Sequence, residues 1–181
     1  MLPLLLFHCT LCHFDISPLP GYWYGTYRGT LEIKSPGKAT SEVPMELMIK
    51  PMDDAARVTW QITYDEGKKK SVRPYELVAL PRKPDYFELD EKSGIKMQMH
   101  KIENKLYCLF KVSNSLLHVE YELRPKEGVI LYKISTYQEK DPLITSHEKN
   151  AQLSVDSYRL ISVQSAVLKP AEMNKPGASK K

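Results

Sequence analysis

The sequence contains no apolar run long enough to cross a bilayer as a helix. Its uncharged opening segment covers residues 1–14, whereas a membrane-spanning helix needs roughly 20 apolar residues. No stretch of the chain has a helical repeat of apolar residues either. These two absences predict a protein without a transmembrane span and disfavour a helical bundle.

Concentrated positive charge is also missing from the body of the chain. The formal net charge is +4, but residues 165–181 carry four lysines against one glutamate. The remainder is close to neutral, and its one basic run, Lys68-Lys69-Lys70, follows Gly67 in a predicted hairpin loop. Without a basic patch or stripe the chain lacks the electrostatic footprint of a nucleic-acid-binding protein.

Motifs that would carry catalysis are lacking as well. There is no Gly-x-Ser-x-Gly, and the five histidines form no His-x-His or His-x-x-x-His ligand pair. His118, Glu120 and Glu122 share one face of a predicted strand, where a polar outer surface is favoured over an acid–base pair. We therefore predict no catalytic residues, no metal and no cofactor, and we favour a non-enzymatic role.

The segment 1–14 resembles the apolar part of a secretory signal peptide, although no Lys or Arg precedes its apolar run. We predict that it is an export leader, which would place the protein outside the cytoplasm; a start further upstream is the alternative. Cys9-Thr10-Leu11-Cys12-His13 matches the haem-attachment pattern but lies inside this leader. We therefore predict neither haem nor zinc there, and we expect the third cysteine, Cys108, to be a buried thiol.

Most of the chain alternates apolar and polar residues with the period of a β-strand. The clearest runs are Val43-Met45-Leu47-Ile49 and Val58-Trp60-Ile62-Tyr64. Short turn signals at regular intervals predict an all-β, antiparallel up-and-down barrel of nine to ten strands over residues 21–168. We predict that residues 15–20 form a proline-containing linker, 139–150 a polar connection, 153–167 the closing strand and 169–181 a disordered basic tail.

The first predicted strand begins at Gly21 and carries glycines at alternate positions of one face. Trp23, Gly25, Tyr27 and Gly29 share that face. Alternate glycines permit sharp coiling or the close approach of another backbone, as a strand that closes a barrel requires. A twisted edge strand of a β-sandwich is the alternative.

The Gly21-Tyr22-Trp23 sequence after a leader and linker resembles the Gly-x-Trp motif of lipocalins and their calycin relatives. The opening of the domain is also similar to uncharacterised exported bacterial lipocalin-like proteins, some of them attached to hydrolases. This resemblance implies a barrel in which Trp23 packs at the closed end under a basic side chain from a late strand. Arg159 is the first candidate for that partner and Arg124 the second, because a guanidinium can stack on an indole.

Strand parity predicts which side chains face the interior of the barrel. They are Trp60, Tyr64, Met97, Met99, Phe110, Val119 and Tyr121. Arg73 and Tyr75 share a face, and if that face is inward they could hold a ligand's carboxylate. We therefore predict a binding site for a small apolar or amphipathic ligand. The alternatives are a filled barrel that serves as a structural or protein-interaction module, and an accessory domain of a hydrolase.

Overall fold

The computed structural model describes residues 17–67 and 69–171, almost all of them in β-strands. Ten antiparallel strands form one closed barrel, and two further strands form a separate two-stranded sheet. The all-β, up-and-down barrel predicted from the alternating pattern is therefore confirmed. The predicted leader, the Cys9–His13 motif and the tail beyond residue 171 lie outside the described residues.

The barrel strands follow one another around the barrel in chain order, except that the last one closes it. They are β1 (Gly25–Lys34), β2 (Ser41–Pro51), β3 (Arg57–Asp65), β4 (Lys70–Ala79), β5 (Tyr86–Asp90), β6 (Lys96–Ile102), β7 (Lys105–Val112), β8 (Ser115–Arg124), β9 (Val129–Gln138) and β12 (Leu160–Pro170). Strand β12 pairs with both β9 and β1. Closure removes every free sheet edge from the barrel, so no edge is left to pair with another chain.

Alternation along the strands fills the interior with apolar side chains. In β2 the buried residues are Met45, Leu47 and Ile49, and the residues between them are more exposed. A period of two puts such residues on one face of a strand, and burying that face is what fixes the register of the sheet.

The two ends of the barrel differ. The closed end carries a 3-10 helix (Gly21–Trp23) and the turns that follow β2, β4, β6 and β8. Trp23 and Leu19 are completely buried there, and the Tyr27 hydroxyl donates to the Trp23 carbonyl oxygen at 3.1 Å. The open end carries the turns that follow β1, β3, β5 and β7. Trp23 thus lies in a short helix that covers one end of the barrel, and the strand that was predicted from Gly21 begins at Gly25.

The predicted stack of Arg159 on Trp23 is wrong. Trp23 precedes β1 and Arg159 precedes β12, and these two strands are antiparallel neighbours, so the two residues lie at opposite ends of the barrel. Arg159 is exposed and donates through Nη2 to Oε1 of Gln138 at 2.6 Å. Arg124 lies at the same end as Trp23, but it follows the inward Leu123 and points outward to Glu122 and Glu127.

The segment between β9 and β12 also differs from the prediction. Strands β10 (Leu143–His147) and β11 (Asn150–Ser157) pair with each other and form a hairpin at the open end. The closing strand β12 begins only at Leu160 and continues to Pro170, two residues beyond the predicted barrel boundary. Alternation indicates a strand but not its partner, which is why part of this hairpin was assigned to the closing strand.

Candidate functional site

A cavity of about 650 Å³ opens at the open end of the barrel. Its walls are inward side chains of β3 to β9. Seven of the eight predicted ligand-binding residues line it: Tyr64, Arg73, Tyr75, Met97, Met99, Phe110 and Tyr121. Val119, which was also predicted to face inward, lines it as well. The side chains that strand parity assigned to the inward face therefore lie around one cavity in the structure.

Trp60 is the predicted residue that the structure places elsewhere. It is completely buried and lies beneath the cavity, where its ring meets the Tyr121 ring edge-on with centroids 5.0 Å apart. Its other aromatic neighbour is Trp23, at 6.5 Å. Trp60 does face the interior of the barrel, as strand parity predicted. It lies in the half of β3 nearer the closed end, so it forms part of the cavity floor beneath Tyr121.

The deeper part of the cavity holds a cluster of tyrosines that the sequence analysis found only in part. Tyr132 of β9 joins Tyr64 and Tyr121, with its hydroxyl 3.5 Å from the Tyr64 hydroxyl and its ring centroid 4.9 Å from that of Tyr121. Tyr132 alternates with Ile130 and Ile134, so the parity argument applied to β9 would have found it. The cluster offers both aromatic surface and hydroxyl groups to anything in the cavity.

These phenols remain protonated at physiological pH. Burial raises the pKa of Tyr64, Tyr121 and Tyr132 above the ordinary value for tyrosine. Burial, followed by the nearby Glu91 carboxylate, raises the pKa of Tyr75 to about 12. Because desolvation disfavours the phenolate, each hydroxyl keeps its proton and can donate a hydrogen bond to a ligand.

Arg73 lines the cavity at its mouth and is exposed. Two lysines at the same mouth are neutralised, Lys96 by Glu88 at 2.7 Å and Lys111 by Glu139 at 2.7 Å. Across the described part of the chain, no ion pair within 4.0 Å involves Arg73. Its guanidinium is therefore available to an anionic group entering the cavity.

Another part of the cavity wall is apolar and adaptable. Met97 and Met99 of β6 and Phe110 of β7 contribute to it, and Cys108 lies beside them. Flexible thioethers can adjust to ligands of different shape. Burial raises the pKa of the Cys108 thiol to about 11, so this cysteine behaves as a small apolar group.

A second hollow, of about 680 Å³, lies outside the barrel at the closed end. It runs between residues 17–20 and the β4–β5 loop, and its walls include Leu80, Phe87 and Arg82. Its lining also includes Asp85 and Lys101, which pair with each other at 2.6 Å, but it contains no tyrosine. The interior cavity is therefore the better candidate for a specific site.

Within residues 17–67 and 69–171 no three His, Cys, Asp or Glu side chains are grouped as they would be around a metal ion. His118 and Glu120 approach each other at 3.6 Å, but on the outer face of β8. The described residues also include no helix that is both long and apolar enough to span a membrane.

Comparison with known proteins identifies the fold and no more. The sequence matches no family model and no curated protein. Among solved structures, it is similar to a protein of unknown function from the DUF3598 family of Nostoc punctiforme PCC 73102, with 12% identity and a TM-score of 0.56 over 83% of this chain. The chain spans about half of that protein, 48% of its length.

A second similar structure is the S-type phycobiliprotein lyase from Guillardia theta. The identity is 10% and the TM-score 0.54, and the match covers 84% of this chain and 90% of the lyase. At these identities the two likenesses show the fold alone, which is a closed antiparallel β-barrel. The finer resemblance to lipocalins that was drawn from Gly21-Tyr22-Trp23 stays a prediction.

Proposed function

We propose that the protein binds a small amphipathic ligand with an acidic group, without transforming it. The observation that carries this proposal is Arg73, which lies at the mouth of an apolar cavity of about 650 Å³ and has no ion-pair partner within 4.0 Å among the described residues. The ligand's apolar body would lie against Met97, Met99 and Phe110, and its acidic group would accept hydrogen bonds from the Arg73 guanidinium.

The size and chemistry of the cavity support this function. Small-molecule sites usually measure about 300–1,000 Å³ and combine apolar walls with a few placed polar groups. Here the polar groups include the neutral hydroxyls of Tyr64, Tyr75 and Tyr132 and, at the mouth, the charges of Arg73, Glu91, Lys96 and Lys111. A cavity of this volume also favours a ligand-binding protein over a structural module with a filled barrel.

The comparison with the phycobiliprotein lyase adds one candidate ligand class. Its fold is shared across most of both chains, which supports testing a bilin-type ligand beside a simple fatty acid. Both ligands combine an apolar body with carboxylate groups. The proposal includes no lyase reaction, because the one described thiol in the cavity has a raised pKa and behaves as an apolar group.

The proposed binding is tested by titrating the protein with dodecanoate, dodecanol and biliverdin while following tryptophan fluorescence. Trp60 reports on the cavity because its ring contacts Tyr121. We expect Arg73→Leu to weaken dodecanoate binding about tenfold, as the loss of one charge-assisted hydrogen bond would, and to leave dodecanol binding unchanged. The matched control is Arg28→Leu, which removes an exposed arginine from the outer face of β1.

Two results would overturn the proposal. The first is that none of the three probes binds at micromolar concentration. The second is that Arg73→Leu weakens dodecanoate and dodecanol equally, because a general loss of stability would do so. An interaction module would then replace the ligand-binding function.

We also propose that the protein acts outside the cytoplasm. The support is the uncharged apolar segment 1–14, which is followed by the prolines of the linker. N-terminal sequencing of the protein from its source tests this. A mature N-terminus near His13 to Ser17 is expected, and an intact Met1 in a cytoplasmic fraction would overturn it.

A further inference from the structure

Two tyrosine hydroxyls from opposite walls of the barrel face each other inside the cavity. Tyr64 belongs to β3 and Tyr132 to β9, and both line the cavity. Their hydroxyl oxygens are 3.5 Å apart, whereas an O–H···O hydrogen bond usually measures about 2.5–3.0 Å. The direct contact between the two hydroxyls is therefore weak, although the Tyr132 side chain is only 2% exposed.

This tyrosine pair, Tyr64 and Tyr132, has more hydrogen-bonding capacity than it uses. Each hydroxyl carries one donor hydrogen and an oxygen that can accept. A bond between the two uses only one of the hydrogens, and among the described residues neither hydroxyl has another hydrogen-bond partner. Because burial of an unpaired polar group is unfavourable, an oxygen that entered the space beside the pair would be stabilised there.

The tyrosine pair and Arg73 lie at different depths of the cavity. Arg73 is two residues nearer the open end of β4 than Tyr75, which pairs with Trp60 of the floor. Tyr132, in contrast, pairs with Tyr121, and the Tyr121 ring contacts Trp60. A ligand that reaches from Arg73 to the floor therefore passes the tyrosine pair at its inner end.

The inward neighbours of the tyrosine pair along the same strands are apolar. They are Ile62, two residues from Tyr64 in β3, and Ile134, two residues from Tyr132 in β9, and both line the cavity. The cavity thus offers a cation at its mouth, apolar walls, and a pair of neutral hydroxyls at depth.

We propose that the ligand is bipolar, with an acidic group at one end of its apolar body and a hydroxyl or keto oxygen at the other. The Tyr64 and Tyr132 hydroxyls bind this second oxygen while Arg73 binds the acidic group. A ligand hydroxyl can accept from one phenol and donate to the other, and a keto oxygen can accept from both. The inference rests on the proposed function and deepens it, because it names the class of ligand that the same cavity selects.

The relative affinities of a hydroxylated and a plain fatty acid distinguish this site from an apolar floor. A site that hydrogen-bonds a ligand oxygen discriminates against the analogue without it, because the polar groups of the site are then left unpaired. An apolar floor has the opposite preference, since a hydroxyl that enters it loses its hydrogen bonds with water.

The test is isothermal titration calorimetry with octanoate and dodecanoate and with their ω-hydroxy derivatives. We expect the hydroxylated acid to bind at least as tightly as the plain acid at one chain length or both. At that length Tyr132→Phe should weaken binding of the hydroxylated acid about tenfold and change that of the plain acid by no more than about twofold. Tyr64→Phe should shift the two affinities in the same direction. The matched control is Tyr107→Phe, which removes a hydroxyl from the outer face of β7, where the ring stacks on His118, and should bind all four acids as wild type does.

The inference fails if both hydroxylated acids bind the wild-type protein more weakly than their plain counterparts. It also fails if Tyr132→Phe weakens hydroxylated and plain acids equally, which would identify the tyrosine pair as a structural contact between β3 and β9. In either case, dodecanoate binding that Arg73→Leu still reduces leaves the proposed function standing. If none of the four acids binds at micromolar concentration, the inference and the proposed function fail together.

Discussion

A Cβ on Gly29 would overlap the backbone carbonyl oxygen of Val167. The two residues lie where β1 and β12 close the barrel, and the same Cβ would also stand 3.2 Å from the Leu168 side chain. Glycine is therefore required here by space, because the neighbouring backbone occupies the position of a side chain. This is the close backbone approach that the alternating glycines of the first strand predicted.

Gly29→Ala should lower the free energy of unfolding by about 1–3 kcal/mol, because either β1 or β12 must shift to admit the methyl group. Urea denaturation followed by tryptophan fluorescence measures the change. Gly21→Ala is the matched control, since a Cβ at Gly21 would meet nothing within 4 Å. If the two variants are equally stable, the closure of the barrel does not depend on this contact.

The fold could be predicted from the sequence because its main signal is local. Alternation in β2 and β3 indicates strands, short turn signals separate them, and a sheet of ten strands tends to close. The inward face was also local information, and it brought Tyr64, Met97 and Phe110 together although they lie far apart in the chain.

Strand parity could not predict how far along the barrel axis a side chain lies, or which strand pairs with which. Trp60 and Tyr64 share a face of β3, yet one is in the floor and the other lines the cavity, because they lie at different levels. Arg159 was paired with Trp23 through the family resemblance alone. Its true position depends on the pairing of β12 with β1, which no local pattern records.

Glu76 is the buried carboxylate on which acid stability should depend most. It accepts hydrogen bonds from Lys92 and, at 2.7 Å, from Arg57. The Lys92 ammonium, followed by Arg57, holds the pKa of Glu76 below its ordinary value. A lowered folded-state pKa stabilises the protein above the unfolded-state pKa, and this contribution is lost as the pH falls through the folded-state value.

Glu76→Gln should therefore destabilise the protein at neutral pH by about 1–3 kcal/mol and flatten the fall in stability in acid. Urea denaturation between about pH 7 and pH 3 measures both effects. Glu127→Gln is the control, because that carboxylate is 59% exposed and its contact with Arg124 is long, at 3.8 Å. An unchanged acid profile in Glu76→Gln would show that other carboxylates control the transition.

Trp23 should be the most sensitive residue of the closed end. Its side chain is completely buried and packs near Trp60. Trp23→Ala should cost about 3–5 kcal/mol in unfolding free energy, and Trp23→Phe less, because it leaves a smaller void. Arg159→Ala should change stability by no more than about 0.5 kcal/mol, since Arg159 is exposed at the other end. A loss of unfolding free energy in Arg159→Ala as large as that in Trp23→Ala would contradict the placement of the two residues at opposite ends of the barrel.

Cys108 offers a test of the cavity that does not depend on fluorescence. In a Cys9→Ser/Cys12→Ser background it is the single thiol. Because burial raises its pKa from 9.0 to about 11, the thiolate fraction near pH 8 should be about a hundredfold smaller than in an unfolded chain. N-ethylmaleimide should therefore react slowly with the folded protein, and faster with each unit of rising pH.

Ligand should slow this reaction further, because Cys108 lines the same cavity as Arg73 and Phe110. Dodecanoate should protect the thiol in the otherwise unchanged protein. With Arg73→Leu added, dodecanoate at the same concentration should protect it less, whereas dodecanol should protect it equally in both. Denatured protein, which must react completely, controls for the reagent. A thiol that reacts at the denatured rate would contradict the burial of Cys108. A thiol that bound dodecanoate leaves unprotected would mean that the ligand occupies some place other than the interior of the barrel.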